Sequence, residues 1–353
     1  MEKKRLLKGA EAVGEAAIQS GCGRFYGFPV PNQSDLMEYL VQQERAGRGP
    51  VVFQSEDPLS ALFMAYGAAL AGARVLTALN SIDLPDALRA ASYFSAAGLP
   101  MVCVIFTQSG PGSGNIYPEQ SSTLTAVYGA RLGDGFAPVF TPSAPTDCAA
   151  VTYKAFKTAE AYQIPVFILI DAACAQLVET VDFSTLNIRE VPAKRVGILE
   201  TEGDAPSKST TLFLDIDEMG EKKEALREKE SAFLEKEKGA FKVMGEGGDA
   251  VIVAFGIGAI QAKRAMDALV PEDISCTVFE PETLFPFPAE AFAEALGKAR
   301  HLFIIDMSHG QFESLLGPHI PDTASRHVFS VTGGAVPRVE LLKAWIQGEL
   351  QSS

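Results

Sequence analysis

Residues 74–107 read RVLTALNSIDLPDALRAASYFSAAGLPMVCVIFT. Two apolar runs, 74–79 and 101–107, flank an alanine-rich segment, 86–97, with helical spacing. Neither run alternates with polar residues, the pattern of a strand buried on both faces. A strand, a helix and a second strand of this kind predict a parallel sheet covered on both sides. Working outward, the same rhythm continues. Helices are predicted over 8–20, 34–45 (with Ser34 as its cap), 56–71 and 146–162. Strands are predicted over 24–28, 51–53 and 165–170. The 56–71 segment is apolar almost all round, which predicts a buried helix.

From 173 to 248 the pattern weakens. Residues 202–209 are polar with Gly and Pro and read as a loop, and 217–238 carry dense charge of both signs, the mark of a solvated helix. A second α/β alternation follows, with strands over 250–255, 274–279, 301–306 and 328–331. Helices are predicted over 260–269, 289–298 and 339–347, and a further helix begins at 312–316. The fold expectation is α/β with two doubly wound domains, 1–172 and 249–353, joined by a charged connector, 173–248. In such sheets ligands bind beyond the carboxyl ends of the strands.

Composition narrows the function. The chain has 353 residues, 47% hydrophobic, with 30 Lys+Arg against 44 Asp+Glu and a net charge of −14. That excess of acid argues against nucleic acid as a partner. No apolar run is long enough to span a membrane, and the first residues lack the apolar core of a signal peptide, so a cytoplasmic location is expected. The five cysteines are dispersed and read as buried free thiols. The four histidines form no HxxxH or HExxH, so no metal site is expected in this chain.

Four unusual loops follow predicted strands of the first unit: PVPNQS after Phe28, QSED after Phe53, NSIDLP after Leu79 and QSGPGSGNIYPEQ after Thr107. All should lie along one sheet edge. Glu56 follows a strand and begins a helix that is otherwise almost wholly apolar. It could be an ordinary N-terminal helix carboxylate favoured by the dipole. It could instead be a carboxylate at an apolar wall, where loss of water favours sharing a proton with a ligand nitrogen. GPGSG (110–114) lacks the Lys-Ser/Thr of a P-loop and the spacing of a dinucleotide fingerprint. GDG (133–135) opens like the magnesium motif of thiamine diphosphate enzymes, but the Asn that motif needs some way downstream is missing: the first is Asn187.

Together these loops resemble the alpha-type subunit of 2-oxoacid:ferredoxin oxidoreductases, and within that family the 2-oxoisovalerate subgroup. The resemblance runs over almost the whole chain. It rests on GFPVPNQS (27–34), FQSE (53–56), YGAALAGARVLT (66–77), GPGSGNIYPEQ (110–120), LFPFP (284–288), Gly310-Gln311 and GGAVP (333–337). It implies a thiamine diphosphate pyrimidine-binding domain followed by a transketolase C-terminal-like domain. It also implies oxidative decarboxylation of a 2-oxoacid to an acyl-coenzyme A. A beta subunit would bind the diphosphate and Mg2+. Iron–sulfur clusters would sit on partner subunits, a gamma or ferredoxin-like subunit would join, and ferredoxin would accept the electrons.

By this resemblance Glu56 is catalytic: it would hydrogen-bond the aminopyrimidine nitrogen and favour its imino tautomer. Pro29 and Val30 would line the cofactor. Pro31, Asn32, Gln108 and Ser109 would face the substrate. Two positions depart from the family. Pro31 replaces a Thr and offers neither hydroxyl nor N–H. Gln108 replaces an Arg and offers a neutral amide for a charged fork. Activation through Glu56 with diverged substrate recognition, toward a branched or aromatic 2-oxoacid, is the expectation. Two alternatives stand beside it: a scaffold or regulatory subunit that kept the fold, and the beta-type subunit of a 2-oxoacid dehydrogenase complex.

Overall fold

The computed structural model describes residues 4–29, 33–186, 188–191, 210–245, 247–248, 250–297, 299–321 and 324–352. The loop expected over 202–209 lies outside them. In chain order the strands are β1 (Lys4–Lys8), β2 (Arg24–Gly27), β3 (Val51–Gln54), β4 (Val75–Asn80), β5 (Met101–Thr107), β6 (Val139–Phe140) and β7 (Pro165–Asp171). They continue with β8 (Val178–Asp182), β9 (Phe241–Met244), β10 (Ala250–Val253), β11 (Cys276–Pro281), β12 (Thr283–Phe285), β13 (His301–Asp306) and β14 (Ser325–Ser330).

The first sheet runs β12-β6-β7-β5-β4-β2-β3 and is parallel except where β12 meets β6. Every residue of β4, β5 and β7 is buried, which is why they read as unbroken apolar runs. One face is covered by helices Gly9–Gln19, Ser34–Arg45 and Pro145–Tyr162, the other by Pro58–Leu70 and Leu84–Ala97. The second sheet runs β14-β13-β10-β11-β9, with only β9 antiparallel. The molecule is thus α/β with two doubly wound units.

The units are not separate bodies. Val251, Phe255, Leu302 and Phe312 of the second belong to the same apolar cluster as Leu84, Ala126 and Val127 of the first. Strand β12 leaves the second unit to complete the first unit's sheet. The connector helix, Ile216–Lys236, buries only Leu226 and Phe233. Phe233 sits between Tyr162 and Phe136, and Arg131–Glu230 and Lys223–Asp134 ion pairs flank it. All five cysteines are buried and free. Three details differ from expectation. A small antiparallel pair, β1 with β8, was not anticipated. Ser34 begins its helix, but Gln33 holds the cap position and makes no side-chain capping bond. The apolar helix starts at Pro58, not Glu56.

Candidate active site

The chain crosses from β3 at the sheet margin, past β2, to β4, so the loops after β2 and β4 diverge at that point. Such a switch point opens a crevice at the carboxyl edge. Pro29 lies there, half-buried. Val30, Pro31 and Asn32 lie outside the described residues.

Beyond β3, the Ser55 amide bonds the Gly27 carbonyl at 2.9 Å and extends the parallel pairing by one residue. Asp57 then caps the next helix. Its carboxylate accepts the Ser60 amide at 2.8 Å and the Ser60 hydroxyl at 2.6 Å, and these bonds hold its carboxyl below the ordinary range. The dipole role is therefore filled by Asp57. Glu56 stands one residue before it, exposed, and accepts no bond from the described residues.

Helix Pro58–Leu70 corrects a second expectation. Ala61, Leu62, Ala65 and Ala69 are buried, but Met64 is 40% exposed. Nearby, Phe63 packs edge-on against Tyr93, itself 41% exposed. Phe53, stacked on Tyr26, is 38% exposed. An all-round apolar helix with one open face is unusual for a chain that works alone.

After β5 the 108–120 loop folds on itself. The Ser109 amide bonds the Tyr117 carbonyl and the Asn115 amide bonds the Ser109 carbonyl, both at 3.0 Å. Gly114 has φ +48°, and a Cβ there would lie 1.6 Å from the Ser109 oxygen, so only glycine fits. Gln108 is buried. Its amide N–H bonds the Ser81 hydroxyl at 3.3 Å, and its side-chain nitrogen donates to the Ser113 carbonyl at 3.1 Å. Ser109 is buried inside the loop. A cavity of about 150 Å³ lies between Ser81 and Ile82 on one side and Gln108, Gly110–Gly112, Ser121 and Ser122 on the other. None of these side chains is charged. Asp83, just beyond, has its carboxyl pushed up by burial and by the neighbouring Asp86 charge. The cavity is half the size of a typical ligand pocket, about 300 Å³ at the low end.

The structure thus brings Pro29, Glu56 and Gln108 to one edge and places Ser109 behind the loop. Asp134 of the GDG triplet instead pairs with Lys223 at 2.6 Å. Sequence reasoning missed Asp171, at the end of β7, whose carboxylate accepts the amides of Cys174 at 2.8 Å and Ile257 at 2.7 Å. Its signal, an Asp closing a buried strand, was present, but its partner in the second unit was not readable.

Comparisons with known proteins agree with this architecture. Residues 15–238 match the family described as pyruvate flavodoxin/ferredoxin oxidoreductase, thiamine diphosphate-binding, and residues 248–340 match pyruvate:ferredoxin oxidoreductase core domain II. The chain is 32% identical to the ketoisovalerate oxidoreductase subunit VorB of Methanothermobacter marburgensis, over 87% of each chain. It is 27% identical to the 2-oxoglutarate synthase subunit KorA of Archaeoglobus fulgidus, over 87% of this chain and 88% of that one. The fold superposes with TM-score 0.86, at 19% identity, on a 2-oxoglutarate:ferredoxin oxidoreductase from Magnetococcus marinus solved with 2-oxoglutarate, coenzyme A and succinyl-CoA; it covers 98% of this chain and 65% of that one. A split-gene transketolase described as an inactive beta4 tetramer shares the fold more distantly, with TM-score 0.57. No helix among the described residues is long and apolar enough to cross a membrane. With a family match over most of its length and a curated relative above 30% identity, the chain belongs to the thiamine diphosphate-binding 2-oxoacid:ferredoxin oxidoreductases, as one subunit of such an enzyme.

Proposed function

We propose that this chain supplies the pyrimidine half of a shared cofactor site and selects a 2-oxoacid with an apolar, branched or aromatic side chain. The observation that carries the reading is Glu56: a carboxylate with no partner among the described residues, exposed just beyond β3, next to the switch-point strand β2 and beside a half-covered apolar helix. That arrangement fits the pyrimidine end of thiamine diphosphate. The Lys223 ion pair of Asp134 supports leaving the diphosphate and its Mg2+ to a beta subunit. Iron–sulfur clusters and a gamma or ferredoxin-like subunit belong to the same assembly, with coenzyme A as acyl acceptor and ferredoxin as electron acceptor. The cofactor supplies the carbon nucleophile and the electron sink. Glu56 accepts and returns a proton at the aminopyrimidine nitrogen. Pro29 and Val30 shape the wall against which the ring rests. The cavity beside Gln108 receives the 2-oxoacid, and Pro31, Asn32 and Ser109 are assigned to substrate recognition by the family resemblance alone.

Substrate class follows from charge. A second carboxylate, as in 2-oxoglutarate, would enter a cavity lined by hydroxyls and an amide with no cation among them. An unpaired charge is costly in such a site. The complex purified with its partners should favour branched or aromatic 2-oxoacids over 2-oxoglutarate and pyruvate by at least about tenfold in kcat/KM. Decarboxylation-dependent dye reduction across a 2-oxoacid panel reads this directly, and comparable rates on all would overturn the reading.

The open face of helix Pro58–Leu70 gives a separate prediction. If the beta subunit covers it, Met64→Asp puts a charge into that interface. Co-purification should then weaken by tenfold or more, while the free chain keeps its thermal stability because Met64 is already exposed. Unchanged co-purification would place the partner elsewhere.

A further inference from the structure

The 108–120 loop is held from outside its own unit. The Gln120 side-chain nitrogen donates to the Phe255 carbonyl at 2.9 Å, and its backbone amide donates to the Met307 carbonyl at 2.8 Å. Gln120 is 2% exposed. At the loop's tip the Asn115 side chain donates to the Gly333 carbonyl at 3.3 Å. There Gly334 lies so close that a Cβ on it would come within 2.3 Å of Tyr117 Cβ. Phe255, Met307 and Gly333 follow β10, β13 and β14, so the carboxyl edge of the second sheet faces this loop. The residues on either side of these anchors, Gly110–Gly112 before them and Ser121 and Ser122 after, line the cavity.

We infer that the second unit is a positioning device for substrate selection, and that Gln120 is the positioning residue through which it acts. The inference rests on the cavity being the 2-oxoacid subsite. Gln120 does not line the cavity. It fixes the far end of a loop whose near end, Gln108, is bonded to Ser81 and Ser113. With both ends tied, the cavity walls have one arrangement. With the far end released, Ser121 and Ser122 move relative to Ser81, and a misplacement of about 1 Å costs roughly a hundredfold when it reaches reacting groups. Here the displaced atoms are substrate contacts, so the loss falls on KM more than on kcat.

The test uses the complete enzyme complex. Gln120→Met keeps volume and apolar packing but removes the donor to Phe255. Asn115→Ala removes the tip bond, and with it the bond that its side-chain oxygen accepts from the Tyr117 amide at 2.9 Å, at a half-buried surface position. Each variant should raise KM for the preferred 2-oxoacid by about five- to tenfold, with KM for coenzyme A and bound thiamine diphosphate within twofold of the parent. Backbone amides of 110–118 should exchange hydrogen faster in both variants. Unchanged KM and unchanged exchange would overturn the inference. So would a uniform loss of all activities together with cofactor, because that is what a merely structural residue gives. An Ile82→Ala control, which changes the cavity wall directly, separates the two levels. If it leaves the 2-oxoacid panel unchanged, the subsite reading itself fails. If it alters the panel while Gln120→Met does not, only the positioning role fails.

Discussion

Glu56→Gln should lower turnover of the assembled complex by about a hundredfold or more, with assembly and cofactor content unchanged. The size follows from what the amide lacks. Gln keeps the side chain's length and can still hydrogen-bond a ring nitrogen, but it cannot take up and return a proton. The specificity of the prediction follows from the surroundings. Glu56 is exposed and bonds none of the described residues, so its replacement removes no contact among them. The helix cap is untouched, because Asp57 alone bonds Ser60. Asp57→Asn is therefore the informative neighbour. It barely weakens the cap, since Asn caps about as well as Asp, and should leave turnover within a few-fold of the parent. Steady-state dye reduction at saturating 2-oxoacid reads both variants. A near-normal rate for Glu56→Gln would remove Glu56 from the chemistry and favour a subunit that kept the fold without the role.

What could be read from the chain divides along a physical line. Strands β4, β5 and β7 are buried on both faces, so their environment is written into their composition, and their expected bounds fall within a residue of those found. Strands β6 and β12 are two and three residues long and pair across about 140 positions of sequence, so no local pattern could announce them. The apolar helix Pro58–Leu70 shows the limit differently: composition says a face is apolar, not what covers it. At the candidate site, Glu56 could be singled out because a carboxylate at the head of an apolar run breaks the pattern. Its separation from the helix start was not legible, because that turned on which of two adjacent acids would cap. Gln120 appeared only as the last letter of a motif, since its partners Phe255 and Met307 are tertiary.

Gly256→Ala should be the most destabilising of the changes considered, at about 3–5 kcal/mol. Gly256 sits between β10 and helix Ile257–Leu269 at φ +57°, ψ −143°, a conformation that costs a residue with a Cβ about 1–3 kcal/mol. A Cβ there would also lie 2.2 Å from Asp171 Oδ2 and 3.1 Å from the Gln120 side-chain nitrogen. Asp171 would have to move and release the Ile257 amide, a charge-assisted bond worth about 1.5–3 kcal/mol. Burial raises this carboxyl above its ordinary range while the amides of Cys174 and Ile257 pull the other way, so displacing it from those amides leaves a buried acid with its cost and without its compensation. Thermal unfolding should fall by roughly ten degrees, at about 2–4 °C per kcal/mol for chains of a few hundred residues. A double-mutant cycle locates the cause. If the clash with Asp171 carries much of the loss, Gly256→Ala in an Asp171→Ala background should cost less than in the parent by about 1–3 kcal/mol. Strict additivity would assign the loss to backbone strain alone. In either case the damage reaches both units at once, because the carboxylate that caps this helix belongs to the first sheet and the helix to the second.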